Sequence, residues 1–452
     1  MMQRLLMTRR NMLFSLVGIL MTTMLTLWGC GGGSTSSGGY ADPTATITTT
    51  KTPTALIDAA TLKLWMDEGK VNNPDPANLD RVVVVTVATA AQYATQHIPG
   101  AQLLDSGSEL LMTRLEGVTA IGTMVIDGAT IDKIIQRLCI NQNTTIVFVA
   151  SKDQNGLNAA RAYFSFRYWG FPKERLKVLQ GGENGWASAA TAASWLPSYA
   201  LTKTAPVVAP SSFSVKNLYK GSTTNFALRT SIGEMISTVD KINSGSLKTD
   251  ANGVSILDVR GGNIGNIYIA NAGVDDYAQY SLAGTGNTST YKPIADLKAR
   301  LATFGISGSK SMNYVYCASG VRAAAAFFVL DGIMGWPTTL YDGSWNQWSG
   351  YTSLATSKVA TAWQTNVNTS TAAAINRTAN AAAYTSPRST PTALPTDIGA
   401  ALTIDPVSNA MYSTVTDPRA NQILTDDKAY FIGSGSSSTS TATGGGGSAS
   451  GC

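Results

Sequence analysis

The sequence predicts an α/β protein: two tandem α/β domains, each a mostly parallel sheet flanked by helices, plus a largely irregular C-terminal tail. Three observations predict it. Continuous β-branched runs such as Arg81-Val82-Val83-Val84-Val85-Thr86-Val87 are apolar on both faces, as a buried parallel strand requires. Segments with helical apolar spacing alternate with these runs, the pattern of an α/β unit. The same order of elements also occurs twice, with local matches between the copies. Leu138-Cys139-Ile140 matches Phe304-Gly305-Ile306, and Leu179-Gln180-Gly181-Gly182-Glu183-Asn184-Gly185-Trp186 matches Tyr341-Asp342-Gly343-Ser344-Trp345-Asn346-Gln347-Trp348.

In the first copy, residues 55–196, the spacing predicts a helix over Leu56 to Gly69 and a strand over Arg81 to Val87. A helix over Ile131 to Leu138, a strand over Thr145 to Val149, a helix over Ala159 to Trp169 and a strand over Leu176 to Leu179 follow. A linker containing Pro, Ala and Ser, residues 197–230, leads to the second copy, residues 231–352. There the same reading gives helices over Ile232 to Ile242, Ile294 to Phe304 and Val321 to Leu330. Strands are expected over Val254 to Val259, Met312 to Tyr316 and Thr338 to Tyr341. Residues 353–432 form an Ala-, Thr-, Asn- and Ser-rich extension with short helices expected near Thr371 to Ala383. Residues 433–452 are a Gly/Ser/Thr tail read as disordered, ending in Cys452.

The N-terminus reads as an export signal over residues 1–29. Arg4, Arg9 and Arg10 precede an apolar stretch from Met12 to Trp28, which is followed by small residues. Leu27-Trp28-Gly29-Cys30 resembles a bacterial lipobox, which implies acylation of Cys30, and residues 30–54 would be a flexible tether. An uncleaved anchor helix is the alternative, although the apolar run is shorter than the roughly 20 residues a span needs. Thr8-Arg9-Arg10-Asn11-Met12-Leu13 also resembles a twin-arginine export motif. The expected location is therefore the cell envelope, lipid-anchored, on a periplasmic or surface-facing side of the outer membrane.

Composition narrows the chemistry. With one His and no Cys-x-x-Cys pair, His-rich metal cages, zinc ribbons, c-type haem attachment and dithiol redox motifs are excluded. No metal and no cofactor is implied. Without the signal, the chain carries 30 Lys and Arg against 28 Asp and Glu, which gives no reason to expect nucleic-acid binding. Catalysis then falls to a lone Cys, to hydroxyls, or to carboxylates and Arg.

Cys317-Ala318-Ser319-Gly320-Val321-Arg322 follows a predicted strand and opens a predicted helix. That order sets a thiol in a tight loop whose backbone N–H groups and helix N-terminus face the sulfur, an arrangement suited to a thiolate or an anionic adduct. Gly320 lets the loop close, and Arg322 adds a fixed positive charge at its rim. The alternative for such a residue is a structural Cys at a strand end.

Cys317-x-x-Gly320-x-Arg322 is preceded by Ile256-Leu257-Asp258-Val259-Arg260 and followed by Leu340-Tyr341-Asp342-Gly343-Ser344-Trp345. The first copy carries Gln96-His97-Ile98-Pro99-Gly100-Ala101 and Gln180-Gly181-Gly182. Together these motifs resemble the rhodanese family of sulfurtransferases over about Ala55 to Trp348. The resemblance implies a tandem enzyme of the thiosulfate or mercaptopyruvate type with only the second domain catalytic. Cys317 would then be the nucleophile, holding a persulfide between a small sulfur-containing anion donor and a thiol or protein acceptor. Loop N–H groups from Ala318 through Ser319, Gly320 and Val321 to Arg322 would stabilise the anion. Asp258 and Arg260 match the strand-end pair, a structural or substrate-contacting role, and Trp345 would form pocket wall or core. The first domain would be inactive, with Ala150-Ser151-Lys152 at the loop and Thr86 and Ala88 at the strand-end pair. His97 would be structural and Cys139 a small core residue.

The donor site departs from the family pattern. Gly261-Gly262-Asn263-Ile264-Gly265-Asn266 stands where tandem members commonly add a second Arg, and Tyr268-Ile269-Ala270-Asn271 replaces the second His-Ile-Pro-Gly turn. A cation-poor pocket leaves a second reading open: a sulfur, selenium or redox carrier without rapid turnover. An accessory or assembly lipoprotein of an envelope system, such as extracellular electron transfer, is a version of that reading. Cys452 on its flexible tail could serve as a resolving thiol, pair with another protein, or be incidental.

Overall fold

The computed structural model describes residues 50–433 apart from 76–77, 117–118, 153–155, 244, 262–266, 283–288, 353–363 and 367–417. Cys30, Cys452, the signal, residues 30–49 of the tether and the helices expected near Thr371 to Ala383 lie outside the described residues. Residues 50–54, read as flexible tether, are instead fixed on the first half, with Thr50 and Lys51 buried and Lys177 donating to the carbonyls of Thr52 and Thr54. All described residues fall in one unit, Ser37–Cys452. None of their helices is long and apolar enough to cross a membrane.

The first half runs β1 (Leu56–Ile57), α1 (Ala59–Asp67), β2 (Val82–Ala88), α2 (Ala90–Thr95) and β3 (Gln102–Asp105). A hairpin of β4 (Met112–Glu116) and β5 (Thr119–Met124) follows. Next come α3 (Gly128–Arg137), β6 (Thr145–Ala150), α4 (Leu157–Tyr168), β7 (Leu176–Leu179) and α5 (Gly182–Ala192). Its parallel sheet has the order β1-β7-β6-β2-β3. Residues from Val82 to Val85 are wholly buried because β2 lies inside the sheet with both faces covered, which is what the β-branched run required. Helix starts are capped as their sequences dictate. The Asp58 carboxylate accepts the Thr61 N–H at 2.8 Å, Asp127 accepts that of Thr130 at 2.8 Å, and Thr89 and Gln92 form a capping box.

The second half repeats the order with β8 (Arg229–Thr230), α6 (Ile232–Asn243), β9 (Val254–Asp258), β10 (Ile267–Ile269), β11 (Ala272–Val274) and α7 (Ile294–Ala302). Then follow β12 (Met312–Tyr316), α8 (Val321–Phe327), β13 (Thr338–Tyr341) and α9 (Ser344–Thr352). Its sheet, β8-β13-β12-β9-β11, is also parallel and matches the first strand for strand.

Several elements differ from the sequence reading. Leu56 and Ile57 are a strand rather than the start of a helix, because they pair in register with Val178 and Leu179. Arg229 and Thr230 likewise pair with Leu340 and Tyr341, so the second sheet begins before Ser231. The helix read over Val321 to Leu330 is α-helical only to Phe327 and then widens into a π-helical turn over Phe328–Ile333.

The halves meet along α4 and α8. Every residue of α4 is buried, since one face covers the first sheet and the other meets the second half. Tyr163 and Phe164 pack edge-on against Phe328 and Phe327, at centroid distances of 4.9 and 5.1 Å. Arg167 pairs with Asp331 of the π-helical turn at 2.9 Å, and the Tyr163 hydroxyl donates to the same carboxylate at 2.8 Å.

The extension also holds two regular elements. β14 (Gln364–Asn366) pairs antiparallel with β10, and α10 (Gln422–Ile432) docks on the first half. Arg114 of β4 holds Asp427 at 2.7 Å, Tyr168 donates to Asp427 at 2.7 Å, and Tyr430 donates to Asp132 at 2.6 Å. Burial pushes the Asp427 carboxyl above its ordinary value, with Arg114 and Tyr168 opposing the shift.

Candidate active site

β12 runs up the middle of the second sheet and delivers Cys317 to the turn between strand and helix. The residue is fully buried. Gly320 adopts φ +83°, a left-handed conformation that glycine tolerates without strain, and this turns its N–H onto the Cys317 sulfur at 3.1 Å. The chain end of β13 braces the loop from the side. Ser344 Oγ accepts the Cys317 N–H at 3.2 Å while donating to the Tyr341 carbonyl, and the N–H groups of Trp345 and Asn346 donate to the carbonyls of Cys317 and Ala318, both at 2.9 Å. A backbone N–H directed at sulfur can donate to it as a thiol or as a charged adduct.

Ala318 and Ser319 are half-buried beside the sulfur, and Val321 and Arg322 open α8. The Arg322 guanidinium lies 5.2 Å from the centre of the Tyr277 ring and has no carboxylate partner among the described residues. Asp258 and Arg260 fold back on each other at the end of β9, with Arg260 Nη2 2.7 Å from the Asp258 carboxylate. The Arg260 guanidinium stacks 4.2 Å above Trp345, so these three predicted site residues form one packed group.

His97 is buried, stacked on Tyr93 at 3.9 Å, and its ring nitrogens meet the carbonyls of Tyr93 and Thr204. Cys139 is a free thiol at φ +54° and only half-buried, because it turns the chain between α3 and β6.

At the matching place in the first half, β6 ends on Ala150 instead of a thiol. Glu183, which stands where the second half has Trp345, turns its carboxylate inward, where it accepts the Lys152 N–H at 3.0 Å and the Thr86 hydroxyl at 3.4 Å. The first half thus satisfies its loop donor with its own side chain.

Behind the Cys317 loop lies a charged group that sequence spacing could not reveal. Asp342 forms an ion pair with Arg161 of α4 at 2.7 Å and accepts from Arg229 at 3.1 Å and from the Val125 N–H at 2.8 Å. Arg229 also holds Glu116 through two bonds of 3.0 and 2.9 Å. Burial alone would raise the Asp342 carboxyl, but the two guanidinium groups hold it below the usual carboxylate range. Burial dominates at Glu116 and leaves it raised despite Arg229. Asp342 and Ser344 lie in a segment the sequence had singled out, with no role assigned to either, and nothing in the sequence pointed to Arg161.

Among known proteins, residues 60–189 match the rhodanese-like domain family. That segment is the half lacking a loop cysteine, and Cys317 lies outside it. Over 313 residues the chain is 26% identical to a Haloferax volcanii protein named "Putative thiosulfate sulfurtransferase", covering 65% of this chain and 92% of that one. Solved structures similar to it include a 3-mercaptopyruvate sulfotransferase, SseA from Escherichia coli, at 19% identity and TM-score 0.48, covering 65% of this chain and 99% of that one. An anaerobic ergothioneine biosynthesis enzyme from Chlorobium limicola matches at 19% identity and TM-score 0.47, with coverage of 66% and 68%. The family match over residues 60–189 and the Haloferax relative support sulfurtransferase chemistry in general.

Proposed function

We propose that this protein is a sulfurtransferase that moves a sulfane sulfur from thiosulfate or a related anionic donor to a thiophilic acceptor through a persulfide on Cys317. The observation that carries the reading is the Gly320 N–H set 3.1 Å from the Cys317 sulfur at a strand–loop–helix turn. The Cys317 thiolate attacks the outer sulfur of thiosulfate; a new S–S bond forms, the old one breaks, and sulfite leaves with its electron pair. Cyanide or a thiolate then attacks the terminal sulfur of the persulfide, takes that sulfur, and releases the Cys317 thiolate. Electrons balance within the two displacements, so no external oxidant enters. The Gly320 N–H steadies the negative charge on sulfur at each stage, and the Arg322 guanidinium at the loop rim meets the anionic end of the donor.

Anchoring completes the reading. An acyl chain on Cys30 would hold the enzyme on the cell envelope, with a thiol or another protein as acceptor. Incubation with thiosulfate and cyanide should give thiocyanate, and intact mass should show one added sulfur on wild type and none on Cys317→Ala. Absence of both products overturns the reading. Loss of fatty-acid labelling in Cys30→Ala tests the anchor, and retained labelling there overturns it.

Full burial of Cys317 and the Asp258–Arg260 pairing favour a second reading, a carrier that loads sulfur or selenium slowly and hands it on. Persulfide on Cys317 that persists for many minutes in excess cyanide would select it.

A further inference from the structure

We infer that Arg161, from the half of the molecule without a loop thiol, is a positioning residue for the Cys317 loop, clamping the peptide that aims Gly320 at the sulfur. The inference deepens the proposed sulfur transfer and rests on it. Arg161 is fully buried in α4 and reaches across the seam between the halves. One end of its guanidinium pairs with Asp342 at 2.7 Å and lies 3.4 Å from the Gly320 carbonyl, and the other donates to the Thr123 carbonyl at 3.0 Å. Gly320 is therefore held on both sides, its N–H by the sulfur and its C=O by Arg161. A Cβ on Gly320 would lie 2.5 Å from the Asp342 carbonyl, 3.1 Å from the Asp342 carboxylate and 3.3 Å from Arg161, so the clamp closes directly on this residue.

Asymmetry between the halves separates a positioning role from simple support of the fold. Each half sends the residue after its last main strand across the seam. Asp342 accepts the Val125 N–H at 2.8 Å, and Gln180, its counterpart, accepts the Tyr291 N–H at 3.0 Å. The backbone contact is thus duplicated, but charge is not. Gln180 is neutral, and counting from Gly156 and Gly320 at the two helix starts, Ala325 stands where the first half has Arg161. The charged clamp occurs only behind the loop that carries sulfur chemistry, where a small misorientation of a donor is costly.

The test compares full-length Arg161→Met and Arg161→Lys with Arg167→Met, which breaks the other buried Arg–Asp pair of the same seam away from the loop. Thiosulfate:cyanide transfer, thermal midpoint and the rate of Cys317 alkylation by iodoacetamide are read for each. Arg161→Met should lower kcat about ten- to hundredfold with KM for thiosulfate within about threefold. It should also speed Cys317 alkylation several-fold over Arg167→Met at matched temperature below the midpoint, and Arg161→Lys should recover part of both. Wild-type kcat in Arg161→Met overturns the inference, as does alkylation no faster than in Arg167→Met. If wild type makes no thiocyanate, the transfer reading fails by itself, while the alkylation rates still decide the clamp.

Discussion

The Cys317 loop and the Ala150 loop stand at the same place on matching sheets and reach opposite ends. In the second half a donor N–H faces sulfur, and Trp345 stacks outward on Arg260. In the first, Glu183 takes the position of Trp345 and its carboxylate takes up the loop donor, Lys152 N–H. A strand–loop–helix turn must satisfy its donors somehow. The difference teaches that the scaffold's demand for an acceptor is constant, and that the two halves meet it with different groups, the Cys317 sulfur in one and the Glu183 carboxylate in the other.

The largest break in this comparison is Cys317→Ser, expected to lower sulfur transfer by roughly a thousandfold or more, as removal of a covalent nucleophile does. Adding Ala150→Cys to that variant should restore nothing while Glu183 occupies the donor, as intact mass after thiosulfate treatment would show. Persulfide on the new thiol would mean that the two loops are interchangeable.

Asp427→Ala comes next and acts through stability, since it strands the buried Arg114 cation. A loss of about 3–5 kcal/mol in denaturant unfolding is expected, and kcat per folded molecule should stay near wild type because α10 leans on the half without a loop thiol. Gly320→Ala and Gly182→Ala form a matched pair. The added methyl would meet Asp342 O at 2.5 Å in one and Ala150 O at 2.6 Å in the other, both at positive φ. Each should cost roughly 1–3 kcal/mol of stability, but only Gly320→Ala should lower kcat, by about a hundredfold. Equal kinetic losses would erase the distinction between the loops.

The smallest effect is a pH dependence. Lys177 is buried on β7 and donates to the carbonyls of Thr52 and Thr54, whereas the second half has Thr339 there, bonded to Thr230. Burial pushes the Lys177 ammonium down to about 7. Between that value and the usual lysine value of roughly 10.4, the unfolded chain holds a proton the folded chain has lost. Stability contributed by this group therefore rises with pH through that window, and its burial penalty is complete below about 7. Lys177→Thr should flatten the slope by up to about 1.4 kcal/mol per pH unit, read from denaturant midpoints at pH 7 and 9. An unchanged slope would assign it to other groups.

The central strands were legible because burial on both faces writes itself as an apolar run, and the thiol loop because Cys317, Gly320 and Arg322 are close in sequence. Three features were not. β1 is two residues long and owes its form to β7 rather than to its own pattern. α10 hides a buried carboxylate, Asp427, on its inner face, so its apolar period is broken at the position that docks it. Arg161 and Asp342 lie on different halves and meet across the seam, and no local spacing encodes that. Asp258, Arg260 and Trp345 were each singled out, but their mutual stacking came only with the fold.

The reciprocal seam contacts bear on how the chain is made. Gln180 finds its partner N–H on Tyr291, and Asp342 finds one on Val125. A chain that emerges N-terminus first finishes its first sheet with Gln180 still waiting for Tyr291. Asp342 emerges after both of its seam partners, Val125 and Arg161. A nascent chain therefore carries Cys317 without the Asp342 contact behind its loop until synthesis has passed β13.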